Sequence, residues 1–436
     1  MKKHDEDTID HIVKKIAHGL EDYEQISKVK MVNGREIWNK LTLSHGLPGI
    51  CMLFGKLMDC DKAESTHWET MGRQYMGYIV DEINHNGMAD MSLYSGLSGV
   101  GLAAACLSKD FVDYTKLSSV INQNLSAWIQ NNAKVVSFHQ GTHAMVYDVI
   151  AGMTGILSYL GLFAGDNICR EGLECGLDML IAMAGDISIQ GITVPGWYIP
   201  SQNQFTQMES DYFPNGNFNT GVAHGIAGPL ILLSQMMMDG VNRPGQMEAI
   251  KKITDFLMKY RLTDSGRTIW NGQIDFDRIK EGKPETEKVF HRDAWCYGAP
   301  GINYALICAG TVCRDRALVE FGIENLRLSV ANIEGIHSPT ICHGYAGIYQ
   351  ILDAVEQLLQ ATCFEPEKEQ IKNQILNYYD ESAPYGFRDY EPDGERKQIQ
   401  AADVSGFLCG ATGVALGLYS VEHPQNNIWR KALLLV

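Results

Sequence analysis

The stretch "SPTICHGYAGIYQ", Ser338–Gln350, sets Cys342 beside His343, places Gly344 and Gly347 three residues apart, and then turns apolar. Two soft ligands ahead of a glycine pair describe either a metal site or a tight turn that contains a cysteine. The glycine pair recurs along the chain. It stands in "SHGLPGI" from Ser44, "YSGLSGV" from Tyr94, "IAGMTGI" from Ile150, "AHGIAGP" from Ala223, "CYGAPGI" from Cys296 and "LCGATGV" from Leu408. One G-x-x-G carries little information. Seven copies, with first glycines Gly46, Gly96, Gly152, Gly225, Gly298, Gly344 and Gly410 at spacings of 46 to 73 residues, are an internal repeat.

The residues after each pair are apolar nearly all round, as in "GINYALICAG" and "GIYQILDAV". A helix with so little polar face is buried on every side. Small residues are frequent and β-branched runs few, which favours helix over strand. The segments ahead of the pairs differ. "THWETMGRQYMGYIVDEI" and "QMEAIKKITDFLMKY" are amphipathic at a period near 3.6. Each repeat therefore reads as an outer amphipathic helix, a loop, a G-x-x-G turn and an inner buried helix. With the N-terminal helix near residues 7–28 as the first outer one, there are seven of each. The expected fold is all-α, an α/α toroid of seven inner and seven outer helices in one domain over residues 1–436. Two segments break the pattern. "ITVPGWYIPSQNQFTQMESDYFPNGNF" from Ile192 and "RTIWNGQIDFDR" from Arg267 are loop-like and suit short strands or functional loops.

Composition narrows the function. Of 436 residues, 45% are hydrophobic and 20% charged, enough to bury a large core. Lys plus Arg is 36 and Asp plus Glu is 52, a formal charge of 36 − 52 = −16. That acidity argues against nucleic acid and suits a neutral or cationic partner. The N-terminus is charged from the start and lacks the apolar core of a signal peptide. No apolar run approaches the roughly 18 residues of a membrane span. The eleven scattered cysteines read as reduced thiols, a few of them available for metal, in a cytoplasmic protein.

Equivalent positions in a ring of repeats share one rim. The residues just before the first glycines are His45, Ser95, Ala151, His224, Tyr297, His343 and Cys409; one earlier stand Ser44, Tyr94, Ile150, Ala223, Cys296, Cys342 and Leu408. Cys296 and Cys342 thus occupy one register in successive repeats, with His343 beside the second. Cys296, Cys342 and His343 make a three-ligand set of the catalytic zinc type, with a fourth position open. Thiolates select zinc over magnesium or calcium. The competing reading makes both cysteines small buried hydrophobes at helix entries. Cys409 and His45 are rival ligands, though His45 is expected to lie too far round the ring and to cap or pack its own turn. His224 is either an acid/base or a satisfied structural histidine. Asp148, four before Gly152, is either catalytic or a helix cap. Arg292, six before Gly298, either meets an anionic transition state or pairs with Asp293.

"RDAWCYGAPG", "TICHGYAGI", "NTGVAHGIAGP" and "YDVIAGMTGIL" resemble the lanthionine synthetase C-like proteins, specifically the bacterial lanthipeptide cyclases. All seven repeats take part. The resemblance implies an α/α toroid with a small SH2-like, β-containing insertion near residues 185–220. It implies one zinc ion on Cys296, Cys342 and His343, and active-site roles for His224, Asp148, Arg292 and Tyr297. The implied reaction adds a peptide cysteine thiol across dehydroalanine or dehydrobutyrine. Its implied partner is a dehydrated precursor peptide of leader and core, with a separate dehydratase and an export transporter in a synthetase complex. That complex would hold the protein at the inner face of the membrane. Two alternatives stand beside it: addition of glutathione to dehydroamino acids, and a non-catalytic toroid that binds peptides.

Overall fold

A computed structural model describes residues 2–30, 34, 36–283, 287–289, 291–392 and 398–435. Long helices alternate along it between two kinds. The amphipathic ones are α1 (Lys2–Gly19), α3 (Ser65–Asn86), α5 (Thr115–Asn132), α7 (Asn167–Met183), α9 (Gln246–Lys259), α11 (Arg316–Ala331) and α13 (Glu365–Leu376). The buried ones are α2 (Leu47–Cys60), α4 (Leu97–Cys106), α6 (Met153–Leu160), α8 (Ala227–Met238), α10 (Ala299–Cys313), α12 (Tyr345–Leu359) and α14 (Ala411–Glu422). The contrast is that of the sequence. Every residue of α4 is buried, whereas α9 buries Ala249, Ile250, Ile253, Phe256 and Leu257 on one face and turns charged residues such as Lys251 and Asp255 to the other.

The glycine pair has a steric cause. The loop before it folds back across the start of the buried helix. A Cβ on the second glycine would meet a carbonyl oxygen six residues earlier: Leu43 for Gly49, Leu93 for Gly99, Val222 for Gly228, Trp295 for Gly301 and Phe407 for Gly413, all at 2.0–2.6 Å. Gly298 is the tightest first glycine. Its φ is +95°, and a Cβ there would stand 1.9 Å from the Arg292 carbonyl oxygen. Gly298→Ala is therefore expected to cost about 3 kcal/mol or more, backbone strain and overpacking each contributing about 1–3 kcal/mol. Chemical denaturation of the two proteins measures it.

The chain forms two compact units, residues 1–121 with 336–436 and residues 122–335. In the first, the buried helices pack in series, α12 on α14, α14 on α2 and α2 on α4. In the second the series is α6, α8, α10. Backbone bonds join neighbouring turns at one register. In the first unit Cys342 N–H donates to Leu408 O (3.0 Å), Leu408 N–H to Ser44 O (3.0 Å) and Leu43 N–H to Tyr94 O (2.9 Å). In the second, Val149 N–H donates to Ala223 O (3.1 Å), and Val222 N–H to Cys296 O (2.9 Å). Each acceptor lies two residues before a first glycine, so each unit brings its pre-glycine residues to one end of its buried helices.

Short strands fill the two irregular segments. β1 (Asp186–Ile189) and β2 (Ile192–Pro195) form a hairpin whose turn, Gln190-Gly191, has positive φ at both positions. That is the backbone of a tight two-residue hairpin turn. β3 (Asn217–Asn219) pairs with β6 (Gln273–Asp275), and β4 (Leu262–Asp264) pairs with β5 (Arg267–Ile269). A further pair, β7 (Asp389–Pro392) with β8 (Ile399–Ala402), lies in the first unit. No helix among the described residues is long and apolar enough to cross a membrane.

Candidate functional site

In the first unit, Cys342, His343 and Cys409 come together, one ligand atom of each lying within 4.8 Å of the others. His343 is 9% exposed. Its Nδ1 faces Cys409 Sγ at 3.9 Å, and its Nε2 lies 3.1 Å from both Asp389 Oδ1 and Glu391 Oε1. The imidazole thus turns Nδ1 to the Cys409 sulfur and Nε2 to carboxylates. With Nε2 turned to carboxylates, Nδ1 is the nitrogen that could ligate a metal. Asp389 is fully buried and also accepts from Ser338 Oγ at 2.8 Å, while its Oδ2 has no hydrogen-bond partner. Burial opposes a charge on His343, yet the Asp389 hydrogen bond and the Cys342 sulfur raise its pKa well above the ordinary value. Two thiols, one imidazole and a carboxylate behind the imidazole fit zinc by donor chemistry.

His45 departs from expectation. Its turn is hydrogen-bonded to that of Cys409, through Leu408 N–H and Ser44 O. The first and seventh repeats are neighbours, and His45 feels the charges of both Asp389 and His343. Burial dominates and lowers its pKa to about 4. Its Nδ1 is buried without a hydrogen-bond partner.

The second unit holds the other candidates. Cys296 is buried at the turn into α10, its carbonyl accepting from Val222 and Ala223. His224 Nδ1 lies 2.6 Å from Asp148 Oδ2, with the histidine side chain 30% exposed and the aspartate fully buried. The other Asp148 oxygen accepts from Ala151 N–H (2.7 Å) and Gly152 N–H (2.8 Å). Asp148 therefore caps the turn into α6 and also holds the His224 ring in place. Phe205, from the segment between β2 and β3, packs its ring 4.9 Å from that of His224. Tyr297 accepts a hydrogen bond from Asn219 Nδ2 at 2.9 Å, and burial pushes its phenol pKa up. Arg292 stands between His291 and Asp293, which bond to each other at 2.9 Å. Asp293, expected as the alternative partner of Arg292, is held besides by fully buried Arg267 (2.6 Å) and by Glu334 N–H (2.9 Å).

Asp389, Glu391 and the closeness of His45 were not foreseen, whereas Cys409 stands where a rival ligand was expected. The sequence "YEPDGERKQIQ" does carry a hairpin signal in Pro392-Asp393-Gly394. Nothing in it, however, tells which turn the hairpin covers.

The chain belongs to the lanthionine synthetase C-like protein family, whose sequence profile matches residues 37–434. It is 30% identical over 404 residues to the nisin biosynthesis protein NisC of Lactococcus lactis subsp. lactis, covering 91% of this chain and 90% of that protein. A solved structure titled nisin cyclase superposes with a TM-score of 0.81 at 29% identity, covering 98% of this chain and 97% of the other. That likeness bears out the expected α/α-toroid fold class.

Proposed function

We propose that the protein is a zinc-dependent lanthipeptide cyclase, acting on dehydrated peptides to close lanthionine and methyllanthionine rings. The observation that carries the reading is the buried His343, clustered with Cys342 and Cys409 and with Nε2 toward Asp389, in a chain similar to nisin cyclase over nearly its whole length. Zinc, on Cys296, Cys342 and His343, would supply acidity to a peptide thiol, making thiolate available at neutral pH. The remaining steps fall to side chains. The thiol sulfur bonds to the β carbon of the dehydro residue, and the C=C π electrons move onto the α carbon and its carbonyl. Arg292 offers charge to that enolate. Nδ1–H of His224, donated to Asp148, leaves Nε2 to take up the proton the thiol gives up and deliver it to the α carbon. Phe205 shields one side of the His224 ring, and Tyr297 orders the loop through Asn219. Sulfur and proton are added and nothing leaves, so mass is unchanged.

The test uses that balance. A dehydrated peptide with one cysteine is incubated with the protein, and free thiol and mass are followed. Loss of thiol at constant mass is expected. A thiol that persists, or a product heavier by glutathione when that tripeptide is supplied, overturns the reading.

The segment of residues 185–220 we assign as the inserted subdomain within one cyclase domain of residues 1–436, supported by the β1–β2 hairpin and the short helical turns after it. A leader-and-core precursor, a separate dehydratase and a transporter at the inner face of the membrane complete the proposed cytoplasmic complex. The net charge of −16 suits a cationic core peptide. Peptide association is expected to weaken as salt shortens the Debye length below about 10 Å. Titrating peptide at rising salt measures it.

Asp389 is proposed to hold His343 in its ligating tautomer. Asp389→Asn is expected to lower zinc affinity by about 10–100-fold, the usual effect of losing such a partner. Competition with a chromogenic chelator measures it without reference to turnover.

A further inference from the structure

Among the described residues, three clusters of His, Cys, Asp and Glu are tight enough to hold a metal ion. Two share His343. The third is apart from them in residues and chemistry. We propose that His18, Glu21 and His67 form a second metal site, for a divalent transition-metal ion of the zinc type, where the end of α1 meets the start of α3.

His18 lies in the last turn of α1, Glu21 comes after it, and His67 lies in the first turn of α3. One ligand atom from each lies within 4.8 Å of the others. Glu21 Oε1 is 2.7 Å from both His18 Nδ1 and His67 Nε2. Two imidazoles and one carboxylate are an N/O set, which suits zinc and its first-row neighbours. Magnesium and calcium prefer oxygen alone.

Two further features separate this cluster from a chance meeting of surface side chains. His18 Nε2 lies 3.1 Å from Glu64 Oε2. A ligating histidine commonly gives its other N–H to such a carboxylate, which fixes the ring and raises its basicity. Both imidazoles also rest on one indole. The Trp68 ring lies 4.8 Å from His18 and 4.9 Å from His67. That indole is fully buried and donates its Nε1–H to Asp61 at 3.0 Å, while Asp61 pairs with Lys14 of α1 at 2.9 Å. The rings are thus held by a rigid floor before any ion arrives, which reduces the ordering cost of ligation. Ion pairing alone would need a proton on each imidazole to balance Glu21 and Glu64. One divalent ion offers the same charge at a single point. The side chains are 47%, 26% and 40% exposed for His18, Glu21 and His67, so an ion can enter from solvent.

The test counts metal. The full-length protein and its variants are dialysed against about 10 µM free zinc, which fills a site of micromolar Kd. Zinc per chain is then measured. His67→Gln and Glu21→Gln are each expected to hold one zinc fewer than the unaltered protein. His85→Gln, a surface histidine at the far end of α3, keeps the full number. The same loss of one is expected when His67→Gln is added to Cys342→Ala, because the two clusters share no residue. Zinc should also raise the melting temperature of Cys342→Ala, but not that of the double variant. Equal zinc with and without His67 and Glu21, or an equal loss in His85→Gln, overturns the proposal. A simple ion-paired network would give the first of those results.

Discussion

Cys296→Ala and Cys342→Ala are each expected to lose zinc and cyclisation together. The two positions share a register, two residues before Gly298 and Gly344. Thiolates are the softest donors available, and removing one leaves two protein ligands where three are needed. The expected fall in zinc affinity is more than about 100-fold, since losing even a partner behind a ligand costs about 10–100-fold. Cys409→Ala is the informative companion. Cys409 Sγ lies 3.9 Å from His343 Nδ1, close enough to compete for the role. On the proposed ligand set, Cys409→Ala keeps its zinc. If Cys409→Ala loses zinc while Cys296→Ala keeps it, the set is Cys342, His343 and Cys409. Metal analysis of the three variants, prepared without chelator, decides between them.

The repeat was legible because its cause is local. A carbonyl oxygen pressed against the start of a buried helix tolerates only glycine, so the pair recurs wherever the turn recurs. The buried helices were legible for a similar reason, since their lack of a polar face is written in ten or so consecutive residues. Register then placed Cys342, His343 and Cys409 at one end of one set of helices. What was hidden depends on contacts between distant segments. His45 is 298 residues from His343 (343 − 45), and its nearness arises from the Leu408–Ser44 backbone bond joining the seventh turn to the first. Asp389 reaches His343 from a four-residue strand whose place over that turn no periodicity encodes. The dual use of Asp148 was also beyond sequence. A cap and an orienting carboxylate look alike until both oxygens have partners, and here each has its own.

That division of Asp148 sharpens the second large effect, expected for His224→Asn. Zinc content should be unchanged, because His224 is outside the proposed ligand set. Turnover should fall by about 10²–10⁴, the usual contribution of a positioned acid or base. Asp148→Asn extends the test. Its remaining oxygen can keep the bonds from Ala151 and Gly152 N–H, so the turn into α6 is retained. The new amide N–H₂ would face His224 Nδ1, which must then accept rather than donate. That forces the neutral proton onto Nε2 and changes the side of the ring offered to the substrate. Turnover should fall nearly as far as in His224→Asn, again with full zinc. The double variant should be little worse than either single one, because the two groups act as one unit. Thiol loss in a dehydrated peptide, measured beside zinc content, reports both quantities. Additive losses would mean that Asp148 acts independently of the imidazole, and loss of zinc in His224→Asn would make His224 a ligand.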